Sequence, residues 1–305
     1  MTTTKSILAV GSIALDSLET VEGNRTEILG GSSTYFGLAV SLFSPVSLVG
    51  VVGNDFPQEG WDLFSNKKID TKNVQVESGK TFQWGGRYSD DYSTRDTLFT
   101  DLGVFENFQP SISEEYKKTQ FLFLGNIQPD LQLNVANQMD EAKTIVCDTM
   151  NLWIDLCPER LWDVIKSVNI FLLNDEEAIQ LTQKVNIYDA ANQLLDNGPS
   201  VVIIKQGKNG ALLAYDDVRI HIPVFPVNKL VDPTGAGDSF AGGFIGHLVN
   251  HGNNDFIEAV ITGSAVASFT VSGFGVDGLL AADMDSIQKR KDIIRASMEN
   301  FKNVE

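Results

Sequence analysis

Cysteine is nearly missing from this 305-residue chain: Cys147 and Cys157 are the whole supply, and they form no close pair. A disulfide framework and a cysteine zinc site are therefore unsupported, and a reducing cytoplasm is the expected setting. Basic residues are scarce too, 23 Lys and Arg against 40 Asp and Glu, for a formal charge of −17. That balance repels nucleic-acid phosphates and anionic membranes, and no Lys/Arg run offsets it, so neither partner is expected. Long apolar runs are also lacking. The N-terminal run ending at Val10 is too short for a membrane span and has no signal-peptide basic region or cleavage pattern ahead of it. A Walker-type phosphate loop is absent. The first apolar run leads into Gly11-Ser12-Ile13-Ala14 rather than G-x-G-x-x-G, which argues against a dinucleotide-dependent oxidoreductase. His247 and His251 stand one helical turn apart, but the Glu of H-E-x-x-H is missing and no third ligand suggests itself.

What is present reads as an ordinary globular enzyme, with 43% hydrophobic and 21% charged residues and length for a sizeable core. Short apolar runs at Ile7 to Val10, Val46 to Val52, Phe121 to Leu124, Thr144 to Cys147, Ile170 to Leu173 and Val201 to Ile204 show no alternation. Such runs fit strands buried on both faces of a parallel sheet. Between them, Ser32 to Leu42, Leu131 to Glu141, Asp175 to Leu181 and Asp189 to Leu195 carry apolar residues at helical spacing. The alternation predicts a doubly wound, mostly parallel α/β sheet flanked by helices. Two excursions break it: a polar, β-branched stretch from Asp16 to Ile28 with a Gly23-Asn24 turn, and a hairpin-like, aromatic stretch from Lys80 to Phe105. The expected division is an α/β domain of residues 1–15, 29–79 and 106–305, with 16–28 and 80–105 forming a small β-sheet lid.

Residues 232 to 248 read DPTGAGDSFAGGFIGHL. A turn dipeptide and a small-residue loop precede a helix whose Phe240, Phe244 and Leu248 lie on one stripe. Gly235, Ala236 and Gly237 carry almost no side chain, so their N–H groups can approach an anion closely at a helix N-terminus. Asp238 beside such a nest would repel phosphate unless its basicity is used. A base there can take the proton of an attacking hydroxyl, which together with amide donors supplies the protein's share of phosphoryl transfer. Read blandly, the same residues are a flexible turn and a first-turn helix acid.

The DPTGAGDSFAGGF stretch resembles, without a mismatch, the C-terminal signature of the ribokinase-like, or PfkB, carbohydrate kinase family. The resemblance implies a ribokinase-like fold with a β-sheet lid, ATP and Mg²⁺ as cosubstrate and cofactor, and a sugar-like acceptor. It makes Asp238 the catalytic base and Gly235, Ala236 and Gly237 the anion hole. Asn174-Asp175-Glu176-Glu177 is similar to the family's N-x-x-E element, which assigns Asn174 to the nucleotide site and Glu177 to Mg²⁺ through water; alone, it is an Asx helix cap. Lys205-Gln206-Gly207-Lys208-Asn209-Gly210 resembles the nucleotide-binding strand end, with Lys205, Gly207 and Gly210 as contacts, although a plain turn looks identical. Asp232 and Thr234 match positions that hold a monovalent cation, so K⁺ is an implied activator. Dimerisation through the lid is a further implication.

At the substrate end, Asp16 matches the family's sugar-hydroxyl acceptor, a role that suits a carboxylate's two oxygens. Gly30-Gly31-Ser32-Ser33-Thr34-Tyr35 resembles the di-glycine that opens the substrate-side helix, which makes Gly31, Ser32 and Tyr35 candidate contacts, with Asn126 a further one. Ala14 and Tyr35 depart from the asparagines of ribokinase-type members, so free ribose bound in their manner is disfavoured. Asp148 and Asn151 resemble a D-x-x-N element, with Trp153 near where several members have a basic residue. The expected activity is phosphorylation of a hydroxyl on a small sugar or sugar derivative. An adenosine-like nucleoside is the alternative acceptor. A catalytically silent sugar-binding member of the fold is disfavoured by the intact Asp238 and its glycines.

Overall fold

The computed structural model describes residues 7–252 and 254–302. Its first part runs β1 (Ile7–Val10), β2 (Ala14–Thr20), β3 (Gly23–Gly30), α1 (Ser32–Val40), β4 (Val46–Gly53), α2 (Gln58–Asn66), β5 (Asp70–Glu77), β6 (Phe82–Tyr88) and β7 (Arg95–Asp101). Next come β8 (Phe121–Leu124), α3 (Pro129–Gln138), β9 (Thr144–Asp148), α4 (Asn151–Leu156), α5 (Pro158–Ser167), β10 (Ile170–Asn174), α6 (Asp175–Thr182), α7 (Ile187–Leu195) and β11 (Val201–Lys205). The chain ends with β12 (Ala211–Tyr215), β13 (Val218–Ile222), α8 (Ala236–His251), α9 (Phe256–Thr270), α10 (Asp277–Leu280) and α11 (Met284–Lys302).

Among the described residues nine strands form one sheet in the order β13-β12-β11-β10-β9-β8-β1-β4-β5. All neighbours are parallel except β11–β12 and β12–β13. The six apolar runs are its central strands, and successive residues point to opposite faces. Ile7, Ala9, Phe121, Phe123, Ile170 and Leu172 pack on one side with Phe36, Phe244 and Val266 of α1, α8 and α9. Leu8, Val10, Leu122, Leu124, Phe171 and Leu173 pack on the other with Val135, Leu161 and Leu194 of α3, α5 and α7. The core is therefore two layers around a sheet wetted on neither face, which explains why these strands show no polar alternation.

Strand order reverses at β1, which pairs with β4 on one side and β8 on the other. Ligands of open α/β sheets bind outside the carboxyl ends of the strands at such a switch point. Helix α8 lies close to both its neighbours there because of Gly242 and Gly243: a Cβ at the first would come 2.6 Å from that of Ala39 in α1, and at the second 2.9 Å from Val266 in α9. Part of the glycine content of the 232–248 motif thus serves helix packing rather than ligand binding.

The excursions form a second, four-stranded sheet in the order β3-β2-β6-β7, with β2 and β6 parallel and the outer pairs antiparallel. Its strands begin at Ala14 and continue to Gly30, so the first excursion is a hairpin contiguous with β1 and α1. No helix among the described residues is long and apolar enough to cross a membrane.

Candidate active site

Gly235 is the N-cap of α8 and sits in the left-handed region at φ 72°, a conformation that costs glycine little. A Cβ at this position would approach Cγ of Tyr35 to 2.2 Å, so the loop rests directly against that ring. Ala236, Gly237 and Asp238 follow in the first helical turn, where N–H groups lack intrahelical acceptors; the Ala236 amide donates to the Pro233 carbonyl just ahead of the helix at 3.2 Å. Upstream, Asp232 ties the loop down: its Oδ1 accepts from the Thr234 amide at 2.9 Å and its Oδ2 from the Gly275 amide at 2.8 Å.

The half-buried Asp238 faces a floor made by β9 and β11. Burial pushes its pKa up to about 7, the charge of Asp148 adds to this, and Lys205 opposes it. Lys205, the last residue of β11, places Nζ 2.8 and 3.1 Å from the two carboxylate oxygens of Asp148. The same Nζ lies 3.0 Å from where a Cβ of Gly237 would stand. An ammonium therefore sits beside the glycine loop. Burial opposes its charge, but Asp148 and Glu177 outweigh burial and hold its pKa above the ordinary lysine range.

Asn174 and Glu177 form a reciprocal capping box at the start of α6: Asn174 Oδ1 accepts from the Glu177 amide and Glu177 Oε2 from the Asn174 amide, each at 2.8 Å. The helix-cap role is thus present, on a carboxylate that also belongs to the cleft. Burial raises the Glu177 pKa to about 7 against the attraction of Lys205. Gly207 and Gly210, both at positive φ, bracket the turn between β11 and β12.

In β2 of the small sheet Asp16 is buried, and burial followed by the charge of Asp232 pushes its pKa up to about 7. A Cβ at Gly30 would fall 1.9 Å from its Oδ2, so this glycine makes room for the carboxylate. Gly31 caps α1, and Ser32 exchanges hydrogen bonds with Ser12: the Ser12 amide donates to Ser32 Oγ and the Ser32 amide to Ser12 Oγ, each at 3.0 Å. Tyr35 is only 1% exposed, and its hydroxyl has no hydrogen-bond partner among the described residues. Burial and the nearby carboxylates of Asp16 and Asp232 raise its pKa well above the ordinary tyrosine value. Asn126 accepts from the Trp153 indole at 2.8 Å. Indole N–H only donates, so the amide oxygen faces Trp153 and the Asn126 NH₂ points elsewhere.

The small sheet decides which aromatic and basic side chains reach this cleft. Trp84 stands opposite Asp16 in the parallel ladder and lies over Gly86 on the same face. Phe99 covers Gly85 on the opposite face, and Arg87 is exposed and paired with Glu19 at 2.6 Å. Arg95 lies with its guanidinium 5.1 Å from the Trp84 ring, and its charge is felt by both Asp16 and Glu177. Nothing in its local sequence singles it out: it follows a polar turn, and only the register that sets it opposite Tyr88 brings it over the site. Tyr88 and Tyr92 also escape a sequence reading. The Tyr88 hydroxyl lies 2.9 Å from Thr234 Oγ1, and the Tyr92 hydroxyl donates to the Val231 carbonyl at 3.0 Å.

Among the described residues, no cluster of three or more His, Cys, Asp or Glu is arranged to hold a metal ion alone. Asp148 and Glu177 near an ammonium suit instead an ion shared with phosphate groups, as is usual for Mg²⁺. His247 is spoken for: its Nε2 pairs with Asp255 at 2.9 Å and its ring stacks on His251.

A doubly wound sheet under a small β-sheet, with a glycine loop, an acid and a lysine at the strand ends, defines a kinase of ribokinase-like fold. The sequence profile of the pfkB family carbohydrate kinases matches residues 5–281, and the chain belongs to that family. It is 30% identical over 246 residues to the cytidine kinase of Thermococcus kodakarensis, which covers 78% of this chain and 87% of the relative. The structure of the Methanocaldococcus jannaschii nucleoside kinase superposes with a TM-score of 0.78 at 22% identity, over 94% of this chain and 98% of that one. The structure of the Burkholderia thailandensis nucleoside kinase in complex with inosine gives 0.80 at 19% identity, over 94% and 96%. A ribokinase-type structure from Escherichia coli, in complex with ATP and Mg²⁺, gives 0.79 at 18%, over 94% and 98%.

Proposed function

We propose that this kinase is a nucleoside kinase, transferring the γ-phosphate of ATP to a ribose hydroxyl of a nucleoside. The observation that carries the chemistry is the packing of Asp238, the Gly235–Gly237 amides and Lys205 Nζ around one point at the N-terminus of α8. In this reading Asp238 takes the acceptor's proton and the freed oxygen attacks the γ-phosphorus. The bond to the β–γ bridging oxygen breaks and ADP leaves. The three amides and Lys205 meet the charge that spreads over the transferring oxygens. A carboxyl held near 7 is half ionised at neutral pH, a useful compromise for a base. Mg²⁺ would neutralise the nucleotide phosphates, with Asn174 and Glu177 holding it through water, and Gly207 and Gly210 would admit the nucleotide backbone-first.

A nucleoside is favoured over a free sugar by the similarity to the cytidine kinase over most of both chains. Tyr35 and Ala14 offer no amide to a free pentose, while Trp84 on the cleft side of the small sheet offers a π-face to a base. Asp16, Gly31, Ser32 and the Asn126 amide are assigned to the acceptor, and Tyr35 to the wall between acceptor and anion hole. Asp232 and Thr234 are assigned to a K⁺ ion; equal turnover in K⁺ and in a large organic cation would remove it. The small sheet, residues 16–28 and 80–105 with their flanks, is assigned as a lid. Its outer face carries Phe99, and Leu98 precedes it at the bulge of β7; each is more than two-fifths exposed, which supports a homodimer through the lid. The paucity of cysteine supports a cytoplasmic enzyme.

The test is ADP release with MgATP and K⁺ against a panel of nucleosides, free sugars and sugar phosphates. Turnover is expected with nucleosides, pyrimidine ribosides first. Turnover confined to free sugars would overturn the acceptor assignment and leave the kinase chemistry intact.

A further inference from the structure

The loop that leads into α8 is held from several directions, and one of them is the small sheet. Val231 donates its amide to Val271 O at 2.8 Å, and Asp232 takes the Gly275 and Thr234 amides. The Val271 and Gly275 ties come from the end of α9 and the segment after it, and the Thr234 tie is internal to the loop. The remaining two come from the β6–β7 hairpin: the Tyr88 hydroxyl on Thr234 Oγ1 at 2.9 Å and the Tyr92 hydroxyl on Val231 O at 3.0 Å. Thr234 immediately precedes Gly235, the cap residue whose φ of 72° sets the direction of the following amides.

The hairpin tip is built to present these hydroxyls. Ser89 N donates to Thr94 O at 3.0 Å, and Tyr92 N to Ser89 O at 2.9 Å. Asp91 gathers both hydroxyls of Ser89 and Ser93 and the Ser93 amide. Tyr92 itself stands in the left-handed region at φ 57°, where a bulky side chain is uncommon. Tyr88 is 9% exposed, so its phenol is taken from water, a loss that only a hydrogen bond on the far side offsets. The two tyrosine rings also lie near each other, centroids 6.1 Å apart and tilted by 42°.

We infer that Tyr88 and Tyr92 are positioning residues that fasten the β6–β7 hairpin to the 231–234 loop, so that seating of the small sheet sets the anion-hole amides. Seating the hairpin and completing the site then become one event. A chain with the sheet lifted off has both hydroxyls in water and the loop held only from behind. This rests on the assignment of the Gly235–Gly237 amides as the anion hole; Asp238→Asn is carried as a control that reports on the site itself.

Hydrogen exchange of the amides from Val231 to Gly237 is compared in the unliganded wild type, Tyr88→Phe, Tyr92→Phe and the double variant. Exchange about tenfold faster in the double variant, with an unchanged thermal midpoint, is the expected result. Equal exchange overturns the inference. In steady state, with the nucleoside best used by the wild type, Tyr88→Phe is expected to lower kcat about tenfold with little change in the acceptor KM. Tyr88→Phe should add almost nothing in a Thr234→Val background, since the hydroxyl then has nothing to hold. A loss expressed only in KM, or fully additive with Thr234→Val, would show that the phenol acts elsewhere. If Asp238→Asn keeps normal turnover, the site assignment fails; if it is inactive while Tyr88→Phe and Tyr92→Phe are normal, only the fastening fails.

Discussion

The ring of Tyr35 lies against Gly235 so closely that a single added carbon on the glycine would stand 2.2 Å from Cγ of the ring. Two parts of the sequence two hundred residues apart, one in α1 and one at the cap of α8, are thereby one wall. Gly235→Ala would force the ring aside and place a side chain at φ 72°. A loss of roughly 2–4 kcal/mol in stability is expected, with turnover falling well beyond what the stability loss explains. Urea unfolding and steady-state kinetics on the same preparation check both; an alanine variant of wild-type activity would show that the wall is not needed.

Tyr35→Phe should behave in the opposite way. The phenol oxygen is buried with no partner among the described residues and is surrounded by carboxylates. Its removal is expected to stabilise the chain by about 1 kcal/mol, because an unsatisfied buried hydroxyl is a cost. The acceptor KM should change little if Tyr35 acts as wall. A destabilised variant, measured by its denaturation midpoint, would mean that the hydroxyl holds a group of its own, such as an ion or the acceptor.

Three carboxyls, Asp16, Glu177 and Asp238, are each pushed up to about 7, chiefly by burial. Between about pH 4 and 7 the folded chain keeps protons that the unfolded chain has released, so stability falls as pH rises through that window and stays low above it. The unliganded enzyme should therefore melt several degrees lower at pH 8 than at pH 5. Asp16→Asn should flatten that dependence; His247, whose pKa is lowered by burial, acts in the opposite sense and is common to both proteins. The proposed base, Asp238, has to be ionised to act, so kcat/KM should show an acidic limb near pH 7. A limb below pH 5 would remove it as the base.

Lys205→Met should raise the KM for ATP and lower kcat, together by roughly two orders of magnitude, through loss of the ammonium beside Gly237. The same change leaves Asp148, nearly buried, without its partner at 2.8 Å, and a stability loss of about 3 kcal/mol is expected. Urea unfolding and steady-state kinetics on the same preparation separate the two effects. A variant with normal ATP affinity would confine Lys205 to the ion pair.

The sequence by itself determined the layered α/β architecture, since short β-branched apolar runs without alternation, each followed by a helical pattern, fit strands covered on both faces. It also determined the glycine loop and its acid, because DPTGAGDSF is contiguous and its chemistry is local. The Asn174–Glu177 element was legible in the same way, although whether it was a cap or a cleft residue was undecided, and it is a cap that lies in the cleft. The edge elements β5 and β13 were not legible: β5 is short on apolar residues, and β13 offers only a five-residue alternation of Val218, Ile220 and Ile222. The partners of the glycine loop were not legible either. That Lys205 pairs with Asp148 across two strands, that Tyr35 lies on Gly235, and that Tyr88 reaches Thr234 depend on sheet register and helix packing. Which face of the small sheet carries Trp84 and Arg95 and which carries Arg87 and Phe99 is likewise a matter of strand parity. Parity follows from pairing with a distant strand, and a linear sequence carries no record of it.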